Sequence, residues 1–141
     1  MPRHNNRHVY LCPLRWGDMD VLGHVNNGRY VDYLQDARVD LLFRHAGLDG
    51  GQEGTGLLVA RHEVHYRAPL HFRAEPVRIE LWVSEIRAAF FTVDYEIADA
   101  EPERKVYVEA RTRLVPFNMA GNHPRRIAPD ERAVLEGLMA T

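Results

Sequence analysis

The chain has 141 residues, 45% of them hydrophobic and 27% charged, which fits one globular domain and excludes a disordered or fibrous protein. Its 18 Lys and Arg against 20 Asp and Glu give a formal net charge of -2, so no general positive field exists to attract nucleic acid. No stretch approaches the roughly 18 apolar residues of a membrane span, and no apolar run follows the N-terminal charges, so we expect a cytoplasmic protein without a membrane partner.

The first predicted elements are a strand and a long helix. Residues 9–16 are a short apolar run, which Pro13 restricts to the edge of a sheet. From about residue 28 to 46, apolar residues recur at helical spacing, with Asn26 or Asn27 expected to cap the start and Gly47 to end the helix. The residues of this apolar stripe are Tyr30, Tyr33, Leu34, Ala37, Leu41 and Leu42.

The rest of the chain predicts an antiparallel sheet. Residues 47–56 hold five of the ten glycines and predict a mobile connection. Four segments with alternating apolar and polar residues follow, and the last three have connections too short for crossover helices, so they should form a meander. Because the apolar face of this sheet needs a cover, we predict an α+β protein whose sheet wraps around one long helix, with a short helix from about Asp130. The residues expected on the apolar face of the first alternating segment are Leu58, Ala60, His62, Val64, Tyr66 and Ala68.

The densest group of reactive side chains lies directly before the predicted helix. Residues 15–27 contain Asp18, Asp20, His24 and two asparagines. A carboxylate just before a helix can attack a carbonyl, or activate water against it, while the free N–H groups of the first turn polarise the carbonyl oxygen. On the residues alone, Asp18 is interpreted as shaping the loop, whereas Asp20 is either turn-forming or catalytic.

No metal site is expected. The loop resembles an EF-hand pattern in part, but Leu22 and Arg29 stand where that pattern needs oxygen ligands. His62 and His65 are three residues apart in a predicted strand and therefore point to opposite faces. We interpret His62 as a core residue.

These features together resemble the hotdog fold and its thioesterases. The run Asp18-Met-Asp20-Val-Leu-Gly-His24-Val-Asn-Asn27, with Tyr30 and Tyr33 on the helix, is similar to bacterial acyl-CoA thioesterases related to 4-hydroxybenzoyl-CoA thioesterase. The later Tyr66-Arg-Ala-Pro69 resembles that family's second strand and its exit. The resemblance covers about residues 9–126. We expect a single hotdog domain over residues 1–141, with a core at about 9–117 and a C-terminal extension at about 118–141.

The resemblance implies a reaction and a site. Asp20 would be the catalytic carboxylate, as nucleophile or general base, and the backbone N–H of Asn27 would polarise the thioester carbonyl. His24 would have a possible catalytic role, and Gly28 and Tyr30 would bind substrate. An acyl-CoA would be cleaved to free acid and coenzyme A, with no cofactor beyond the coenzyme A of the substrate.

The resemblance also implies binding partners, and it leaves alternatives to the acyl-CoA thioesterase function. Arg125 and Arg126, late in the chain, would bind the phosphates of coenzyme A. Relatives pair side by side, so a homodimer, or a tetramer of dimers, is expected. The alternatives are an acyl carrier protein thioesterase, a 3-hydroxyacyl-thioester dehydratase and a non-catalytic acyl-thioester binding protein.

Overall fold

A computed structural model describes residues 6–48 and 55–140 of the chain. In these residues six strands form one antiparallel sheet in the order β1-β3-β4-β5-β2, with β6 paired to β5. The predicted glycine-rich connection lies mostly outside the described residues. The elements are β1 (His8–Cys12), α1 (Tyr30–Val39), β2 (Thr55–Tyr66), β3 (Val77–Ile86), β4 (Phe91–Ala98), β5 (Val106–Asn118), β6 (His123–Pro124) and α2 (Pro129–Glu136).

The predicted long helix is confirmed, with a change of helical type along its length. A 3₁₀ turn at Asn27–Arg29 leads into α1, and a π-helical segment at Asp40–His45 continues it. The left-handed φ of Gly47, 72°, ends the helix as expected. All six residues of the predicted apolar stripe are buried, with at most 4% exposure, so this face packs against the sheet.

The predicted meander is also confirmed. β3 pairs with β4 and β4 pairs with β5, each antiparallel. Their inward side chains form the core under α1, which confirms the alternation seen in the sequence. The fully buried members are Val77, Ile79, Leu81, Val83, Phe91, Val93, Tyr95, Ile97, Val108 and Thr112.

β2 departs from the predicted alternation at a bulge. Its register against β5 shifts between Val59 and Arg61, so Ala60 is an extra residue. Val59 pairs with the buried Leu114 and therefore faces the helix side. The predicted inner face is right from residue 62 onward and wrong for Leu58 and Ala60, because one inserted residue reverses the alternation.

β1 and β2 are the two edges of the sheet. The edge position of β1 is confirmed, but the strand ends at Cys12, and Trp16 already begins a 3₁₀ turn. Pro13 has no N–H to continue the pairing. β2 is open on its outer side, so its inward-facing His62 is exposed rather than buried, which corrects the core interpretation.

The C-terminal helix α2 confirms the prediction of a short helix near Asp130. Pro129 occupies its first position, where a missing N–H costs nothing. The Glu131 carboxylate accepts a hydrogen bond from the Ala128 N–H at 2.9 Å and so caps the helix. Within the part of the chain that the structure describes, neither helix is long and apolar enough to cross a membrane.

Candidate active site

The loop before α1 folds into a tight turn that carries Asp20 and His24 on its two arms. The Asp20 N–H donates to the His24 carbonyl at 2.7 Å, and the Gly23 N–H donates to the Asp20 carbonyl at 3.1 Å. Gly23 has a φ of 79°, in the left-handed region that glycine adopts without strain. The turn therefore fixes the backbone of both candidate side chains.

The Asp20 carboxylate is oriented by its own loop. Its Oδ1 accepts hydrogen bonds from the N–H groups of Leu22, at 2.9 Å, and His24, at 3.1 Å. Its Oδ2 accepts none from residues 6–48 or 55–140, and the residue is only partly buried. One oxygen thus holds the side chain in place and leaves the other free to act.

The start of the helix has one free donor. Asn26 caps it, since its Oδ1 accepts from the Gly28 N–H at 2.9 Å, which confirms the first of the two expected caps. The N–H of Gly28 is therefore already engaged. No oxygen in the described ranges accepts from the Asn27 N–H. A free N–H at the positive end of a helix can stabilise negative charge on an oxygen.

Asp18 joins the loop to the helix. Only 7% exposed, it accepts a hydrogen bond from the Tyr33 hydroxyl at 2.9 Å. Its backbone carbonyl also accepts from the Asn26 N–H at 2.9 Å. Burial, followed by the hydrogen bond to Asp18, raises the pKa of Tyr33. Asp18 therefore shapes the loop, as its sequence position indicated, although the partner of its carboxylate is a tyrosine.

The segment after β2 forms backbone hydrogen bonds with the Asp20 loop. The Val25 N–H donates to the Leu70 carbonyl at 2.8 Å, and the Phe72 N–H donates to the Gly23 carbonyl at 3.2 Å. Between them the rings of His24 and His71 meet edge to face, with centroids 4.4 Å apart. The sequence analysis missed His71 because this contact depends on long-range pairing.

Tyr66 and Tyr30 flank the start of the helix. The Tyr66 hydroxyl donates to the Asn27 carbonyl at 3.0 Å, and its ring lies 5.4 Å from that of Tyr30. Tyr30 is 3% exposed, and burial raises the pKa of its hydroxyl. The sequence predicts Tyr66 on the apolar face of its strand and in the Tyr66-Arg-Ala-Pro69 motif, but gives it no role in the site. Its contact with the backbone of Asn27 makes it part of the site's framework.

Arg125 and Arg126 do not lie beside Asp20 in one chain. The Arg125 N–H donates to the Pro116 carbonyl, and Pro116 pairs with Leu57 at the far end of β2 from Tyr66. Tyr66 is nine positions after Leu57 in the strand, so the two residues are about 30 Å apart along β2.

The two arginines also differ in their availability to a ligand. The Arg125 guanidinium binds both oxygens of Glu131, at 2.7 and 2.8 Å, and this pairing raises the pKa of Arg125. Arg126 is exposed. Within one chain, both arginines therefore follow the end of β2 that is opposite Tyr66, and their role as phosphate contacts stays a prediction.

A metal centre and a surface concavity are two other places where a site could lie. Among the residues that the structure describes, no three His, Cys, Asp or Glu side chains are grouped so that they could hold a metal ion. A concavity of about 370 Å³ lies on the sheet face opposite α1, but no residue of the Asp20 loop lines it. Its Asp94 is already paired with Arg111 at 2.9 Å. The reactive groups therefore converge at the loop and the helix start.

The sheet curled around α1 is the hotdog fold that the sequence indicated. A family model described as the thioesterase-like superfamily matches residues 14–138, and the chain belongs to this family. Fold and family together define the class of protein as a hotdog thioesterase, which acts on thioesters.

Solved structures with the same fold agree with this assignment. One from Pseudomonas aeruginosa, named "PA2801 protein, a putative Thioesterase", is 30% identical and covers 89% of this chain and 95% of its own, with a TM-score of 0.79. The PA5185 protein of the same organism is 25% identical over 95% of this chain and 92% of its own, with a TM-score of 0.83. A DHNA-CoA thioesterase from Staphylococcus aureus, 20% identical, covers 92% of this chain and 89% of its own at a TM-score of 0.81 and shows the fold alone. A comparison with curated proteins finds no match.

Proposed function

We propose that the protein hydrolyses acyl-CoA thioesters to a free carboxylic acid and coenzyme A. The observation that carries this proposal is the Asp20 carboxylate, which has one oxygen held by two backbone N–H groups and the other without a partner in the described residues. The same loop ends at the free N–H of Asn27, so a carboxylate and an oxyanion donor lie at one helix start.

The proposed reaction follows from these two groups. The thioester oxygen accepts a hydrogen bond from the Asn27 N–H. Asp20 either takes a proton from water, whose oxygen adds to the thioester carbon, or adds to that carbon itself. The carbon–sulfur bond then breaks, and the thiolate leaves and is protonated. In the second route water cleaves the resulting anhydride. A single oxyanion donor of this kind stabilises a transition state by about 3 kcal/mol.

His24 and His71 are proposed to support the loop rather than transfer protons. The backbone N–H of His24 orients Asp20, while its imidazole packs against His71. Tyr66 would hold the peptide group between Asn27 and Gly28 and so restrain the helix start. Tyr30 and Gly28 remain proposed substrate contacts through their place at the same helix start.

We further propose that the coenzyme A end of the substrate is bound by a second copy. β2 is an edge strand, and its inward residues near the bulge are exposed, including Val59 at 43%. An edge strand offers unpaired backbone groups to another strand. Antiparallel pairing of two β2 strands would bring the partner's end of β2, with its exposed arginine, to the helix start. A homodimer would therefore complete the site.

The direct test is thiol release from a panel of acyl-CoAs and acyl carrier protein thioesters, comparing wild type with Asp20→Asn. The amide oxygen of Asn can still accept both loop hydrogen bonds, so the turn is retained. We expect wild type to release thiol from at least one acyl-CoA and the variant to be impaired. Failure of wild type on every thioester would contradict the proposal, and equal activity would contradict the role of Asp20.

A further inference from the structure

A chain of hydrogen bonds crosses the core from the long helix to the edge of the sheet. Arg38 of α1 donates through Nη1 to the Tyr95 hydroxyl at 3.1 Å, and that hydroxyl donates to Thr112 Oγ1 at 2.8 Å. Thr112 Oγ1 lies 2.8 Å from Nδ1 of His62. The first three residues are 8%, 1% and 0% exposed, respectively, whereas His62 stands exposed on β2.

The order of donors and acceptors in this series of hydrogen bonds is set at its buried end. A guanidinium only donates, so the Tyr95 oxygen accepts from Arg38, and the single Tyr95 hydrogen points to Thr112. The Thr112 oxygen is thereby an acceptor, and its one hydrogen is available for donation to His62 Nδ1, 2.8 Å away. The neutral imidazole then carries its proton on Nε2. The inner part of the ring, at the contact with Thr112, is partly buried, and this desolvation together with the nearby Arg38 lowers the pKa of His62 and favours the neutral form.

The buried hydroxyls are not needed for packing. Phe at position 95 and Val at position 112 would have nearly the same shape without buried polar atoms, which are costly when they lack partners. The Tyr95 hydroxyl satisfies the buried Arg38, and the Thr112 hydroxyl extends the hydrogen bonding to the ring of His62 and gives that ring a fixed orientation. No hydrogen-bond partner in residues 6–48 or 55–140 engages the Nε2 of His62.

His62 lies on the surface that leads away from the proposed reaction centre. Beyond the bulge, residues 62, 64 and 66 face the helix side, because they pair with Thr112, Ala110 and Val108 of the buried face. Tyr66 contacts Asn27 at one end of this strip. His62 is four residues back along the strand, a distance of about 13 Å. An acyl chain held at Asn27 and lying along this strip would run towards His62.

We propose that the Nε2–H of His62 recognises an oxygen acceptor on the distal part of the acyl group. The enzyme would then prefer acyl-CoAs that carry a hydroxyl or carbonyl oxygen over plain hydrocarbon chains of the same length. This inference rests on the proposed function and adds a specificity residue to it. The relay residues Tyr95 and Thr112 are positioning residues, because they act only through His62.

The relay itself can be tested without turnover. Long-range ¹H–¹⁵N spectra of the histidine rings in the full chain should show His62 protonated on Nε2. Thr112→Val removes the donor to Nδ1 and should shift this ring towards a tautomer mixture. An Nδ1-protonated His62 in wild type, or a ring unaffected by Thr112→Val, would overturn the proposal.

Specificity is tested with matched pairs of acyl-CoAs, an ω-hydroxyacyl and a plain acyl chain of each length. His62→Phe keeps a ring of similar shape without the donor. We expect the kcat/KM for the ω-hydroxyacyl-CoA divided by that for the plain acyl-CoA to fall by about tenfold, which corresponds to one hydrogen bond. His65→Phe, on the outer face of the same strand, is the matched control and should leave the ratio unchanged.

The outcomes separate this inference from the proposed function. If wild type hydrolyses acyl-CoAs but His62→Phe changes the ratio at no chain length, the inference fails and the hydrolase remains. If wild type hydrolyses none, the proposed function fails, and binding of non-hydrolysable thioether analogues of the same pairs then tests His62 alone. A change in self-association of His62→Phe without a change in the ratio would assign the residue to an interface and overturn the inference.

Discussion

At the scale of single residues, Asp20 has the backbone contacts of a turn-forming aspartate and the free oxygen that a catalytic aspartate needs. Oδ1 accepts two backbone N–H groups, as a turn former does. Oδ2 is left for chemistry. The division of tasks extends to Asp18, whose buried carboxylate serves Tyr33 and holds the loop on the helix. Two carboxylates two residues apart therefore differ in role because their partners differ.

The role of Asp18 leads to a stability prediction. Tyr33→Phe removes the hydroxyl that donates to this buried carboxylate, and we expect the free energy of unfolding to fall by about 1–3 kcal/mol. Tyr107→Phe is the matched control, because its partner Asp99 also binds Arg73 and is less buried. Urea unfolding of both variants measures the difference. An equal or smaller loss for Tyr33→Phe would show that Asp18 does not depend on this bond.

Single residues also mark what the sequence could and could not predict about the site. The positions of Asp20, Asn26 and Asn27 were predictable because they are local to one loop and one helix start. Tyr66 reaches the loop through the pairing of β2 with β5, and His71 reaches it through the path of the chain after β2, which brings residue 71 opposite residue 24. Local patterns contain no information on such pairing.

At the scale of elements, the periodic segments were predictable and their irregularities were not. The helical stripe and the meander follow from spacings of 3.6 and 2 residues. The bulge at Ala60 inserts one residue into the two-residue repeat of the strand, and the π-helical turn at Asp40–His45 changes the number of residues per helical turn. No residue type in the sequence predicts either irregularity. The bulge places Val59 on the same face of β2 as His62 and Tyr66, which strict alternation does not allow.

The stability contributed by the ion pair between Arg125 and Glu131 of α2 is expected to depend on pH. The hydrogen bond from Arg125 lowers the pKa of Glu131, so the stability contributed by this carboxylate is present above the usual carboxyl range and is lost as pH falls through the lowered value. Glu131→Gln should therefore destabilise the protein at pH 7 and make progressively less difference in acid. Unfolding measured from pH 7 to below about 4 checks this.

The control for this prediction is Glu136→Gln. Glu136 pairs with Arg132 at 3.2 Å on the exposed side of the same helix, where ion pairs contribute little. This variant should resemble wild type at every pH. A destabilisation by Glu131→Gln that stays constant with pH would contradict the assignment of the effect to its charge.

At the scale of the whole molecule, the proposal is that two copies of the chain complete the site. The exposed Arg126 that would bind phosphate follows the end of β2 that is opposite Tyr66. We expect Arg126→Ala to raise the KM for acyl-CoA in a salt-sensitive way and to leave kcat unchanged. Arg132→Ala, an exposed arginine paired within α2, is the control and should leave KM unchanged.

Mixing two variants with different defects tests whether the site spans two copies. In a mixed dimer of Asp20→Asn and Arg126→Ala chains, one site would have both defects and the other would have neither. We therefore expect the mixture to contain sites that combine a low KM with a wild-type kcat, a combination that neither parent shows. A mixture that only averages its parents would place Arg126 in the site of its own chain or outside any site.

The central claim is that the free oxygen of Asp20 performs the chemistry at the helix start. The measurement that tests it most directly is kcat for thiol release from the best acyl-CoA by Asp20→Asn, with Asp32→Asn as the control. Asp32 is an exposed carboxylate on α1 that pairs with Arg29. Loss of a general base or nucleophile should lower kcat at least about 100-fold in Asp20→Asn, while Asp32→Asn stays close to wild type. A folded Asp20→Asn protein with wild-type kcat would contradict the account.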